Sequence, residues 1–92
     1  MLVTTPVKIS FLERLAGQTP LVTDGSIAAE LTERGFADFP PCIYNSKQSV
    51  LIEDIHRAFV EAGAELLQSN TEHANRLTLE RYGFADKVYE LN

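Results

Sequence analysis

Leu21-Val22-Thr23-Asp24-Gly25-Ser26 and Leu66-Leu67-Gln68-Ser69-Asn70-Thr71 decide how this chain is read. Each is a short apolar run closed by polar residues, and each precedes a helix-like pattern. Two strands that end this way and turn into helices read as successive units of a parallel α/β fold. Ligands in such folds sit just past the strand ends. That gives two candidate addresses, Asp24-Gly25 and residues 70–73.

Asp-Gly between apolar runs is also a hairpin signal. The residues after it decide against one. Ser26-Ile27-Ala28-Ala29-Glu30-Leu31-Thr32-Glu33-Arg34-Gly35 holds good helix formers, an Ile27/Leu31 pair one turn apart, and Gly35 as a stop. Upstream, Ile9-Ser10-Phe11-Leu12-Glu13-Arg14-Leu15-Ala16-Gly17 places Phe11, Leu12 and Leu15 on one face of a short lead-in helix. Pro20 opens the first strand, where a missing N–H does little harm.

Downstream, residues 36–47 carry Pro40-Pro41, Asn45 and Ser46 without periodicity and read as a connecting loop. The loop is long, which hints at a role near a site. Ser49 is placed to cap the next helix, where Ile52, Ile55 and Phe59 form an apolar stripe at spacings of three and four. Glu53 and Arg57 stand four apart on its outer face in the favourable order, and Gly63 ends it. Residues 64–69 form the second strand. A third helix is expected over residues 74–82, stopped by Gly83, then a further helix capped by Asp86. The Tyr82, Tyr89 and Phe pattern reads as core.

The chain has 92 residues, 45% of them hydrophobic, which suffices for a packed core. Its net charge of −5 and lack of a basic cluster argue against nucleic acid and anionic membrane surfaces as partners. No apolar run approaches the ~20 residues of a membrane span. Residues 1–8 lack the layout of a secretory signal, so a cytoplasmic protein is expected. Cys42, the only cysteine, excludes an internal disulfide and reads as a loop residue without a special role. His56 lies mid-helix beside Arg57 and reads as solvated or helix-packing.

Two parallel strands leave both sheet edges unpaired, and the chain stops inside a helical pattern. A closed β/α barrel takes ~200 residues or more. The expectation is therefore an α/β chain that could supply only the first quarter of such a barrel, the N-terminal piece of a longer protein with about two βα units. Residues 1–92 would be one portion of a single domain, truncated at the C-terminus.

Three blocks together carry a family resemblance. They are Val22-Thr23-Asp24-Gly25-Ser26-Ile27-Ala28-Ala29-Glu30-Leu31, Ile55-His56-Arg57-Ala58-Phe59-Val60-Glu61-Ala62-Gly63-Ala64 and Ser69-Asn70-Thr71-Glu72-His73-Ala74-Asn75-Arg76-Leu77. In order and spacing, and with the ending Tyr82-Gly83-Phe84-Ala85-Asp86-Lys87-Val88, the chain resembles the homocysteine S-methyltransferase family from about Phe11 onward. The resemblance implies a homocysteine-binding (β/α)8 TIM barrel, of which this chain is the N-terminal part with about the first two βα units, that moves a methyl group from a small-molecule donor to the sulfur of homocysteine, forming methionine. It implies a zinc ion that keeps the sulfur ionised, since a neutral thiol is a poor nucleophile. Relatives hold that zinc with cysteines on later strands. Cys42 matches none of them, so no metal ligand and no catalytic residue is assigned here.

What the resemblance assigns to this piece is substrate binding. Asp24 matches the family's strand-one acid, able to accept hydrogen bonds from the substrate ammonium group, and Gly25 lets substrate approach the backbone. By residue type alone, Asp24 reads rather as a helix cap beside a turn glycine, and the resemblance reverses that order. Asn70 and Thr71 match the Asn-Thr after strand two. Relatives usually carry phenylalanine next, where this chain has Glu72 and then His73. Glu72 either contacts the ammonium group and reshapes the pocket or simply occupies the first turn of a helix. Ala28-Ala29 replaces the Gly-Thr of many relatives, though not of the betaine-dependent branch, and leaves the donor open. The rest of the barrel is the implied partner. The alternatives are an amino-acid-binding or regulatory paralogue without catalysis, or an inactive fragment.

Overall fold

The computed structural model describes residues 10–92. The readings of residues 1–8 and of Ile9 lie outside them. Ser10 opens α1 (Phe11–Ala16), its hydroxyl accepting the Glu13 N–H at 3.1 Å. Arg14 then ties this helix to the second apolar segment through a fork, Nη1 to Glu65 Oε2 at 2.6 Å and Nη2 to Oε1 at 3.0 Å.

The two apolar segments meet in parallel, with Thr23 opposite Leu66 in a single bridge. Leu66 N–H donates to Val22 O at 3.2 Å and Asp24 N–H to Leu66 O at 3.0 Å. A parallel ladder would next bond Gln68 N–H to the Asp24 carbonyl. Instead Gln68 N–H donates to the Asp24 side chain, Oδ2 at 3.0 Å. The carboxylate stands in for its own backbone carbonyl, so the pairing stops at one bridge.

α2 (Ile27–Glu33) follows, capped by the Ser26 hydroxyl on Ala29 N–H at 3.0 Å. Asp24 is therefore not the helix cap. Residues 36–47 are not an irregular loop. They contain a 3-10 turn, Pro41–Ile43, running directly into α3 (Tyr44–Lys47). Proline at the start of the turn suits it, because its missing N–H would have had no partner there.

α4 (Ser49–Glu61) carries the expected stripe, with Ile52 and Ile55 buried and Phe59 half-buried. Ser49 lies inside the helix. The cap position is Gln48, which makes no side-chain capping bond. Gly63, at φ +112°, turns the chain out of the helix in a conformation that a side chain would strain. The closing bond, Ala64 N–H to Phe59 O at 2.9 Å, has counterparts after the other two glycine stops, Gly35 and Gly83, as Phe36 to Leu31 and Phe84 to Leu79.

The third expected helix is shorter than residues 74–82. α5 (Arg76–Glu80) starts late because the Asn75 side chain caps it on Thr78 N–H at 2.9 Å. Asp86 caps nothing: it sits inside a 3-10 turn, Ala85–Lys87, that leads into α6 (Val88–Leu91).

Two apolar clusters hold these pieces. One joins Ile27 and Leu31 of α2, Tyr44, and Ile52 and Ile55 of α4. The other joins Cys42 and Ile43 to Ala74, Leu79 and Leu91. The run from the 3-10 turn into α3 thus joins both cores, Cys42 and Ile43 facing one and Tyr44 the other. Tyr89 is 97% exposed and Tyr82 45%, so neither tyrosine belongs to the core as read from sequence. Tyr82 lies in the turn after α5, and Tyr89 on α6, a helix of four residues whose buried side is held by Leu91. No helix among the described residues is long and apolar enough to cross a membrane.

Candidate functional site

A cleft of about 320 Å³ opens where the single bridge ends. One wall is the turn into α2, with Asp24, Gly25, Ser26 and Ala28. The facing wall is the stretch after the second segment, with Gln68, Ser69, Asn70, Glu72 and His73. Pro41 and Cys42 of the 3-10 turn close the third side.

Five of the six residues singled out from sequence line this cleft: Asp24, Gly25, Asn70, Glu72 and His73. Thr71 does not, its hydroxyl pairing instead with Ser69 Oγ at 2.8 Å. Asp24 is half-buried. One carboxylate oxygen is fixed by Gln68 N–H, and among the described residues the other has no hydrogen-bond partner. Glu72 and His73 are exposed on the opposite lip.

Asn70 is the buried polar residue of the site, 9% exposed. Its amide protons are already used, Nδ2 donating to Pro41 O at 2.7 Å and to Asn45 Oδ1 at 2.8 Å. Its amide nitrogen holds the walls rather than facing a ligand.

Gly25 has a packing reason that sequence did not reveal. A β-carbon there would lie 3.0 Å from Phe59 Cε1. The glycine lets the turn rest on the edge of a core ring.

The cleft offers acceptors: the Asp24 carboxylate on one side and the Glu72 carboxylate on the other. Such a pair suits a cationic head such as an ammonium group. It is less suited to nucleophilic chemistry. Burial pushes the Cys42 thiol up from its ordinary value, which keeps it neutral near pH 7. Among the described residues no three His, Cys, Asp or Glu side chains gather as a metal site, and Cys42, the single cysteine, has no second soft ligand beside it. The residues present do not fit that ion.

His56 stands apart on α4, its Nδ1 buried without a hydrogen-bond partner among the described residues. The residues that sequence missed are Pro41, Cys42, Gln68 and Asn45. Only the length of the loop at residues 36–47 pointed to Pro41, Cys42 and Asn45. Gln68 acts through its backbone N–H, which residue type does not disclose.

The homocysteine S-methyltransferase family model matches residues 21–92, a span that includes every wall of the cleft. The chain belongs to this family. Among curated proteins, the chain is 39% identical over 88 residues to a methionine synthase of Mycobacterium leprae, covering 88% of the chain. It is 34% identical over 82 residues to a methionine synthase of Mycobacterium tuberculosis, covering 82% of the chain. The matched part amounts to 7% of each of these relatives. No solved structure matches the chain significantly.

Proposed function

We propose that this chain is the amino-acid-binding start of a cytoplasmic homocysteine S-methyltransferase, the first two βα units of a (β/α)8 barrel. The whole protein would move a methyl group from a small-molecule donor to the thiol of homocysteine and release methionine. Family membership supports the substrate class. The observation that carries the chain's own share is the cleft at the end of the parallel bridge, where one Asp24 carboxylate oxygen has no hydrogen-bond partner among the described residues.

In this reading Asp24 and Glu72 receive the ammonium group of homocysteine, and Gly25 and Ser26 form the floor beneath it. His73 borders the opening. The thiol end points away from these residues, toward the part of the barrel beyond them. Zinc would keep the sulfur ionised there, held by residues outside this chain. The chain's part is to bind and orient the substrate.

The test is Asp24→Asn in the full-length protein, with L-homocysteine affinity read by calorimetry. Asparagine keeps an oxygen for the Gln68 N–H and removes only the charge. Losing a charged hydrogen-bond partner weakens binding by about 1.5–3 kcal/mol, which is about tenfold to a hundredfold. Unchanged affinity would show that Asp24 serves only the segment pairing. Homocysteine binding without methionine formation would make the protein a binding paralogue.

A further inference from the structure

We propose that Asn45, which lines no part of the cleft, is a positioning residue that sets the distance between two of its walls. The proposal rests on the reading of the cleft as the homocysteine site.

Asn45 and Asn70 clasp each other. Asn45 Nδ2 donates to Asn70 O at 2.7 Å, and Asn45 Oδ1 accepts from Asn70 Nδ2 at 2.8 Å. The second proton of Asn45 goes to Leu91 O at 3.0 Å, and the second proton of Asn70 to Pro41 O at 2.7 Å. Both amides have therefore used every donor they possess. Three stretches meet at this one pair: the 3-10 turn, the wall after the second segment, and α6.

The placement of the bonds gives the clasp its function. Pro41 and Asn70 belong to different walls of the cleft, and each is held at a backbone carbonyl. Asn70 immediately precedes the stretch carrying Glu72 and His73, so fixing its peptide fixes where their backbone begins. The pair is half to fully buried, where an amide left without a partner loses more than the bond itself. Removing Asn45 takes away the bond at the Asn70 carbonyl and one of the two at its amide, so that Nδ2 to Pro41 O alone is left to hold the wall at its distance.

The molecule contains its own comparison. Asn92 Nδ2 makes two bonds of the same kind, to Ala74 O at 2.8 Å and Val88 O at 2.7 Å. It ties α6 down as Asn45 does, yet touches no residue of the cleft wall.

The experiment compares Asn45→Ala and Asn92→Ala in the full-length protein. Affinity for L-homocysteine is measured well below the unfolding midpoint, and backbone hydrogen exchange is followed by mass spectrometry. Asn45→Ala is expected to weaken binding about tenfold and to speed exchange in the peptide spanning residues 68–75. Asn92→Ala, whose bond to Ala74 O lies inside that peptide, is expected to lower the midpoint while leaving affinity unchanged. Asn45→Ser, whose hydroxyl reaches at most one carbonyl, replaces Asn45→Ala if the latter does not fold, with the same expectations. If Asn45 variants lower the midpoint but leave affinity as it was, the residue is structural and the proposal fails. If wild-type protein does not bind homocysteine at all, the reading of the cleft fails. The exchange data then decide the clasp: unchanged rates in residues 68–75 would overturn it.

Discussion

Gly25→Ala tests why a glycine stands at the turn into α2. The added methyl carbon would sit 3.0 Å from Phe59 Cε1 and 3.3 Å from Cζ. Carbon atoms rest at about 3.5–4.0 Å, so the ring has to withdraw by roughly half an ångström. Phe59 packs on the cluster of Ile27, Leu31, Tyr44, Ile52 and Ile55, which leaves little room behind it. Overpacking of this kind costs about 1–3 kcal/mol. The half-buried ring has one solvent-facing side to yield toward, which places the expectation in the lower part, about 1–2 kcal/mol. Phe59→Leu removes the obstructing edge. On its own it loses packing, but combined with Gly25→Ala the two changes compensate by at least about 0.5 kcal/mol. Urea unfolding of wild type, both single variants and the double variant, followed by far-UV circular dichroism, reads the cycle. A Gly25→Ala protein as stable as wild type, or a double variant whose losses simply add, would refute the steric account.

Two more outcomes follow from the charges and the thiol. The Arg14 guanidinium, hydrogen-bonded to Glu65, holds that carboxyl below the usual carboxylate range. The pair's stabilisation is therefore full above the ordinary carboxylate value of about 4.3 and is lost as pH falls through the lowered value. Glu65→Gln should remove that part of the acid dependence, by a small amount that shrinks further in concentrated salt because both partners face solvent. A wild-type advantage that grows as pH falls would contradict the placement. Cys42, 1% exposed with its thiol pushed up by burial, should react with a thiol reagent only as fast as its turn opens, and at once in denaturant. Immediate labelling of native protein would take Cys42 out of the cleft's buried side.

Periodicity disclosed the helices with a regular apolar face and little else. α4 is legible because Ile52, Ile55 and Phe59 repeat at helical spacing over thirteen residues. The turn at Pro41–Ile43 and α3 are not, because Cys42, Ile43 and Tyr44 are consecutive and serve two different cores. No single face can be drawn through such a run. The two cleft walls were legible as strand ends followed by helix starts, which is why Asp24 and Asn70 stood out. The roles inside the cleft were less so. Asn70 looks like a ligand donor until its protons are traced to Pro41 and Asn45. Asp24 looks like a helix cap until Ser26 is found in that position. Both depend on partners more than twenty residues away, which local pattern does not carry.

The bond from Gln68 N–H to Asp24 Oδ2 makes one carboxylate both a binding group and a gauge of alignment. With one oxygen anchored to the neighbouring segment, the side chain has lost its choice of rotamer before any ligand arrives. The remaining oxygen is aimed, so a ligand meets a preorganised acceptor and loses little freedom in orienting it. The same anchorage removes independence. A slip of one residue between the segments would withdraw the Gln68 N–H and swing the carboxylate to the other face. Affinity and alignment at this position therefore change together, and a variant selected for a different ligand at Asp24 inherits a different alignment with it.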